Sequence, residues 1–421
     1  MRPSRRGFTL IELLVGGAVG SVVLLGISLT FISQARQYQT HASRRAIQSN
    51  ARQAMSFMSR HIRSAGYGVD PDRTVLAYDS FNASDPNSPS QPGFPDAVVV
   101  HSRDLLFRRD VDSASSNRLV VTAPIPLLQR GQILLVLCRN NGNITTTQHH
   151  AFVTVSQKVE NSTEILLDTT DPTAAPNAPT AMPGRLFHEQ ALLDGNGCYD
   201  KAQIVKINRA AFYVAAFDEP GSPNVRTPYL MMHQGLDLDE DGTIGPSDAV
   251  PVAEGIEQLQ VAYILNSLGT TIPRVLGVNE STTADHYGEQ WQTMIPPQMV
   301  GPDRRIPQWY TLVLNDLEKP AREEDSPVNI RQLRITVVSR SSNPDPQHQG
   351  DNLMLAHEGE AIGTTVPWRQ LENLSVTGVA ANAGDFTPQG GGFYRVILRE
   401  SITPKNIQLN SQFIATTQDG G

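Results

Sequence analysis

Cysteine is nearly absent. Cys138 and Cys198 are the only two in 421 residues, so at most one intrachain disulfide can form, and no Cys-x-x-Cys pair exists. A bridge between them would close a loop of about 60 residues and contribute on the order of 4 kcal/mol in an oxidising compartment; the alternative is two unrelated buried thiols. Charge is sparse at 18%, while 39% hydrophobic content is too high for a disordered chain. The 32 glycines and 29 prolines follow no period, which excludes a collagen-like chain and leaves room for a loop-rich β body. Beyond the first 66 residues no Lys/Arg-dense stretch occurs, so nucleic acid is not an expected partner.

Catalytic patterns are missing too. His188-Glu189 and His357-Glu358 open like zinc-protease helices, but Leu192 and Ala361 stand where a second histidine belongs. There is no Walker A loop and no Gly-x-Ser-x-Gly elbow, and His149-His150 sits in a Thr/Gln-rich turn. No enzymatic activity is expected.

What the chain does have is concentrated at its start. Phe8 to Ile32 is a 25-residue apolar run holding a single ionisable group, Glu12. At 1.5 Å per residue it is long enough to cross a hydrocarbon core of about 30 Å. No small-residue cleavage site follows Ile32, so a conventional secretory signal is not indicated. A lone carboxylate inside a bilayer costs roughly 2.5–3.5 kcal/mol and calls for a partner. Cleavage after Gly7 would create one: the new α-amino group of Phe8, on an adjacent subunit, can neutralise Glu12 within an apolar assembly. The alternative is a carboxylate that snorkels to headgroups. Gly16 and Gly20, four residues apart, permit close approach of neighbouring helices.

The string Arg5-Arg6-Gly7-Phe8-Thr9-Leu10-Ile11-Glu12-Leu13 resembles the class III signal of type IV prepilins and type II secretion pseudopilins. The resemblance implies a prepilin peptidase cutting between Gly7 and Phe8, N-methylation of Phe8, and a docking role for Glu12. Arginines are balanced across the span, three before it against Arg36, Arg44 and Arg45 after it. The resemblance breaks that tie. It places the leader in the cytoplasm and the body outside, where Cys138 and Cys198 could bond.

Past Ile32, apolar residues at Ala35, Tyr38, Ala42, Ile47, Ala51, Met55, Met58, Ile62 and Ala65 keep helical spacing, and Gly66 and Gly68 supply a stop. One helix of 58 residues, roughly 87 Å, is expected from Phe8 to Ala65, its second half offering a stripe to the body. That half carries Arg36, Arg44, Arg45, Arg52, Arg60 and Arg63 and no acid. With +3 in residues 1–7 and +5 in residues 8–66, the remaining 355 residues carry −16 to reach the total of −8. Ion pairing of helix with body, and of subunit with subunit, is the expected use of the arginines.

Beyond residue 70 the pattern changes to short alternating runs: Ala97–His101, Arg118–Ala123, Gln132–Cys138, Phe152–Val159, Glu164–Asp168, Gln203–Val214, Glu257–Leu265, Gln332–Ser339 and Phe393–Glu400. The fold class is α+β, a long helix packed on a large antiparallel body with long loop insertions at 70–95, 266–328 and 342–390. The division expected is a leader (1–7), a membrane-spanning and amphipathic helix (8–66) and a β-rich body (67–421). Ile62–Tyr67, Gly255–Tyr263, Ile330–Arg340 and Phe393–Val396 resemble segments of PilW-type minor pilins. That likeness implies inner-membrane insertion of a precursor, assembly with other minor and major pilins, and a role in starting or capping a type IV pilus. A tip-located adhesion subunit and a minor type II secretion pseudopilin are the alternatives.

One loop carries metal chemistry. Asp237, Asp239, Asp241, Thr243 and Asp248 occupy positions 1, 3, 5, 7 and 12 of a twelve-residue segment with Gly242 at position 6, the calcium-loop pattern. Carboxylates this dense repel one another unless a hard cation neutralises them, and Thr243 would contribute its backbone carbonyl. The departures are Asp248 where a bidentate Glu is usual, and Pro246 at position 10. The expectation is a structural Ca²⁺ outside an EF-hand; the alternative is a solvated acidic turn. Asp194, Asn196 and Asp200 form a shorter second candidate beside Cys198.

Overall fold

The computed structural model describes residues 9–69, 74–78, 81, 95–137, 150–168, 202–219, 222–265, 274–276, 330–343 and 393–407. Among these, one long helix, α1 (Leu10–Ser64), precedes thirteen strands. Thr9 caps its start, and no Pro or Gly interrupts it between Phe31 and Ser64. At the other end the Asn406 amide donates to the Ser64 and Ala65 carbonyls at 3.2 and 3.3 Å, satisfying groups that the helix leaves open.

The two halves of α1 live in different surroundings. Leu10 to Ile32 is exposed on every side. The second half docks later than its periodicity suggests. Ala35, Tyr38 and Ala42 remain exposed, and continuous burial starts at Ile47 and runs through Ala51, Ala54, Met55, Met58 and Ile62. Each large side chain in that set contributes about 1.5–3 kcal/mol by leaving water.

Among the described residues the body is antiparallel throughout, in two sheets. The larger one follows the order β5 (His150–Thr154), β4 (Ile133–Leu137), β7 (Gln203–Glu219), β2 (Ala97–Ser115), β3 (Arg118–Leu128) and β6 (Val159–Leu166). Off that path, β1 (Val75–Tyr78) pairs with β2, and β8 (Ser222–His233) joins β7 to β9 (Val250–Glu254). The smaller sheet runs β11 (Arg274–Leu276), β10 (Ile256–Leu265), β12 (Ile330–Arg340) and β13 (Arg395–Ile402). The docked half of α1 shares one core with both: Met55, Met58 and Ile62 meet Val98, Val100 and Phe212 from the large sheet and Leu259, Ile335 and Ile402 from the small one. A second core lies among β3, β4, β5 and β6, around Leu119, Leu134, Val153 and Ile165.

A buried ion pair ties the small sheet across its middle strand. Arg395, fully buried on β13, donates to Glu257 on β10 from Nε at 2.6 Å and from Nη2 at 3.1 Å. Two parallel bonds of this kind fix both side chains.

Several strand boundaries differ from the sequence reading. Phe152–Val159 is not one strand: β5 ends at Thr154, and the chain turns before β6 begins at Val159. Strand β2 continues fourteen residues past His101 because it changes partner, pairing with β7 and then with β3. Strands β8 and β9 were hidden by Pro223, Pro228 and Pro251. Segments expected as loops hold β1 and β11.

Candidate functional site

The acidic loop begins where β8 ends. His233, fully buried, accepts the Gly235 amide on Nδ1 at 2.8 Å and places Nε2 2.8 Å from the Gly245 carbonyl, so the ring carries its proton on Nε2. One imidazole thereby ties the two ends of the loop together. Burial, reinforced by the Arg209 charge and opposed by the Gly245 bond, lowers the His233 pKa to about 4. It is neutral at physiological pH.

From this frame Asp237, Asp239 and Asp248 converge, with one carboxylate oxygen of each lying within 4.8 Å of the others. Asp237 and Asp248 are buried and Asp239 is exposed. Asp248 rides on a short 3₁₀ turn, Pro246–Asp248, that carries it back over the loop. Its Oδ1 accepts the Leu238 and Asp239 amides at 2.5 and 3.2 Å, and its Oδ2 accepts the Gly245 amide at 2.8 Å. Pro246 therefore serves the loop, and the turn brings in the shorter Asp where a Glu would reach on its own.

Asp237 Oδ2 accepts the Gly242 amide at 3.0 Å. Its Oδ1 is buried and has no hydrogen-bond partner among the described residues. A buried carboxylate oxygen left unpaired is costly, and a cation is the natural complement. The donor set is all oxygen, which suits a hard divalent ion. The Asp237/Asp239/Asp248 cluster can thus bind a metal ion.

Asp241 is placed differently. Its Oδ1 accepts both the amide and the hydroxyl of Thr243, at 2.7 and 2.6 Å, outside the three-carboxylate cluster. Those bonds hold its pKa below the ordinary carboxylate value. Thr243 accordingly acts on Asp241 through its hydroxyl and amide. Gly242 has φ +87°, a conformation that side chains at position 6 would resist.

Three cations outside the loop hold it, and sequence spacing gave no sign of them. Arg130 donates to the Gly242 carbonyl, and Lys158 pairs with Glu240 at 2.6 Å where the chain adopts φ +60°. Arg209 packs beneath Gly235. The turn before β4 also comes close: a Cβ on Gly131 would lie 2.1 Å from the Gly235 carbonyl oxygen.

At the other end of the molecule, α1 opens with a capping box. Thr9 Oγ1 accepts the Glu12 amide at 3.3 Å, and Glu12 Oε2 accepts the Thr9 amide and hydroxyl at 2.9 Å each. The Thr-x-x-Glu spacing announces such a box, a signal the sequence reading passed over in favour of charge pairing. Above it stand Leu10 to Ile32, long and apolar enough to cross a membrane and, among the described residues, covered by nothing in the body.

The chain carries the prokaryotic N-terminal methylation motif. The match covers residues 2–28 and is the class III prepilin signal of the type IV pilin and pseudopilin superfamily, which consists generally of structural proteins. No curated protein and no solved structure matches the chain. A long apolar N-terminal helix packed on an antiparallel body is the pilin-like fold that accompanies this motif. By family, such a motif implies processing by prepilin peptidase and assembly with pilins from an inner-membrane precursor.

Of the remaining site residues, Gly7, Phe8, Cys138 and Cys198 lie outside the described residues, as do Asp194, Asn196 and Asp200. The arginine stripe is partly engaged by the body: Arg63 pairs with Glu400 at 3.6 Å, and the Arg44 guanidinium sits 5.4 Å from the Tyr394 ring centroid.

Proposed function

We propose that this chain is a PilW-type minor pilin that helps to start or cap a type IV pilus. Residues 1–7 are the leader, removed by prepilin peptidase between Gly7 and Phe8. Residues 8–66 anchor the precursor in the inner membrane and later pack into the fibre, and residues 67–421 form the periplasmic, then surface-exposed, head. The observation that carries this reading is the bare apolar first half of α1, headed by Glu12 and continuous with a methylation motif. A helix with that much apolar surface needs lipid or neighbouring helices around it. Glu12 answers the methylated amine of Phe8 on a neighbour. A head of 355 residues fits a fibre tip more easily than a tightly repeating shaft.

The head binds one structural Ca²⁺. Asp237, Asp239 and Asp248 are its carboxylate ligands, and Asp241 with Thr243 shapes the loop around it. Cys138 and Cys198 form a disulfide once the head is outside the cytoplasm. The protein is structural, with no catalytic role.

The test is mass analysis of subunits from sheared pili. A mature chain starting at N-methyl-Phe8, present at low copy, is the expected result. An uncut chain retained in the inner membrane and missing from fibres would overturn the reading.

A further inference from the structure

We propose that the groove along α1 between Arg52 and Ser64 binds an extended, acidic peptide segment. Two adjoining cavities flank this stretch, of about 560 and 720 Å³, and both are lined by Arg60 and Ser64. The first adds Lys206 and Arg209 from β7 with Asp104 from β2; the second adds Arg52 and Arg63 with Glu400 from β13. Arg52, Arg60 and Arg63 of α1, with Lys206 and the buried Arg209, thus line the two cavities together with two carboxylates.

Both carboxylates are already committed, Asp104 to Lys206 at 2.9 Å and Glu400 to Arg63 at 3.6 Å. Neither Arg52 nor Arg60 pairs with a carboxylate among the described residues, and both are exposed. The groove is a positive strip on a body that carries −16, and such a contrast draws in a partner of opposite sign.

Size and surroundings select the occupant. From Arg52 to Ser64 the helix rises roughly 18 Å, the length of about five or six extended residues. Met55 and Leu398 add apolar walls for side-chain stems between the charges. A lipid headgroup is out of reach, because Arg52 lies roughly 30 Å along the helix beyond Ile32. A long polyanion such as a nucleic acid would run off the strip onto the acidic body and be repelled. A short run of Asp and Glu is seated whole.

The groove can be read in isolation from fibre assembly, so its test does not stand or fall with the pilin reading. Full-length chain in detergent micelles with EDTA is titrated into a dye-labelled hexaglutamate peptide, and fluorescence anisotropy is followed at two salt concentrations. Saturable, salt-sensitive binding is expected, weakened at least about tenfold by Arg52→Glu/Arg60→Glu. Both positions are exposed, and circular dichroism checks that the double variant folds. Equal affinity in the double variant would overturn the proposal. So would binding of hexaglutamine as tight as hexaglutamate, or an oligothymidylate of equal charge displacing the peptide at equal concentration.

Discussion

The Glu12 carboxylate reaches back to the Thr9 amide at 2.9 Å and so closes the first turn of the helix it heads. A cut after Gly7 would leave one residue, Phe8, before that amide. The same carboxylate thus serves its own helix, and in the proposed fibre it would also answer a neighbour's new amino end. Substitution separates the two roles. Glu12→Gln keeps an acceptor for the Thr9 amide and loses the charge; Glu12→Ala loses both, and the helix start is weakened. Both variants should insert into the membrane normally and enter pili poorly, as measured by immunoblots of sheared fibres. If Glu12→Gln assembles like wild type, capping is the whole of its function.

Calcium should stabilise the head. At a hundred times its Kd, a ligand that binds only the folded state adds about 2.7 kcal/mol, a rise in Tm readable by differential scanning fluorimetry. Asp237→Asn should abolish the rise with little harm to the metal-free protein, since Asp237 Oδ1 has no other partner there. Asp248→Asn should abolish it and also destabilise the metal-free loop, whose three amides Asp248 holds. Asp241→Asn should only weaken it.

Acid should loosen the same loop through His233. Its folded pKa of about 4 lies below the ordinary 6.5, so between those values the unfolded chain takes up a proton that the folded chain refuses. The stability involved is fully present above pH 6.5 and is lost as pH falls towards 4, by about 3 kcal/mol at most. Denaturant melts in EDTA across that window should show the decline. His233→Gln, which can still donate to Gly245, should flatten it.

Breaking the Glu257–Arg395 pair from one side should be severe. Glu257→Gln leaves a buried guanidinium without its counter-charge, at a cost of about 3–5 kcal/mol. Replacing both residues by apolar ones, Glu257→Leu with Arg395→Met, should recover most of that loss in urea melts.

The helix was legible in the sequence because its signals are local: an unbroken apolar run, then a stripe, then Gly66. Its docking point was less so, since Ala35 to Ala42 keep the spacing of a buried stripe and meet no body to bury them. Of the core strands, β4 announced itself by continuous Ile, Leu and Val, and β12 by Ile, Leu and Val set among polar residues. Strand β8 did not, because proline is tolerated where a strand's partners leave its amide unneeded. In the acidic loop, the carboxylates and Gly242 were readable from spacing alone. Arg130, Lys158 and His233 were not, because the first two reach the loop from the turns before β4 and β6 and the third turns inward from its flank. The division of labour that leaves Asp241 to Thr243 depends on the path of the backbone, which no spacing encodes.

The delayed docking of α1 has a mechanical result. Between Ile32, where the apolar span ends, and Arg44, which meets the Tyr394 ring of the body, the helix rises roughly 18 Å. With α1 along the bilayer normal, the headgroup layer takes up about 5–8 Å of that rise. In the proposed inner-membrane precursor the head would therefore stand on a stilt, clear of the lipid by about 10 Å. That clearance leaves a hydrated storey beneath the head, open for neighbouring stems to gather before any fibre rises.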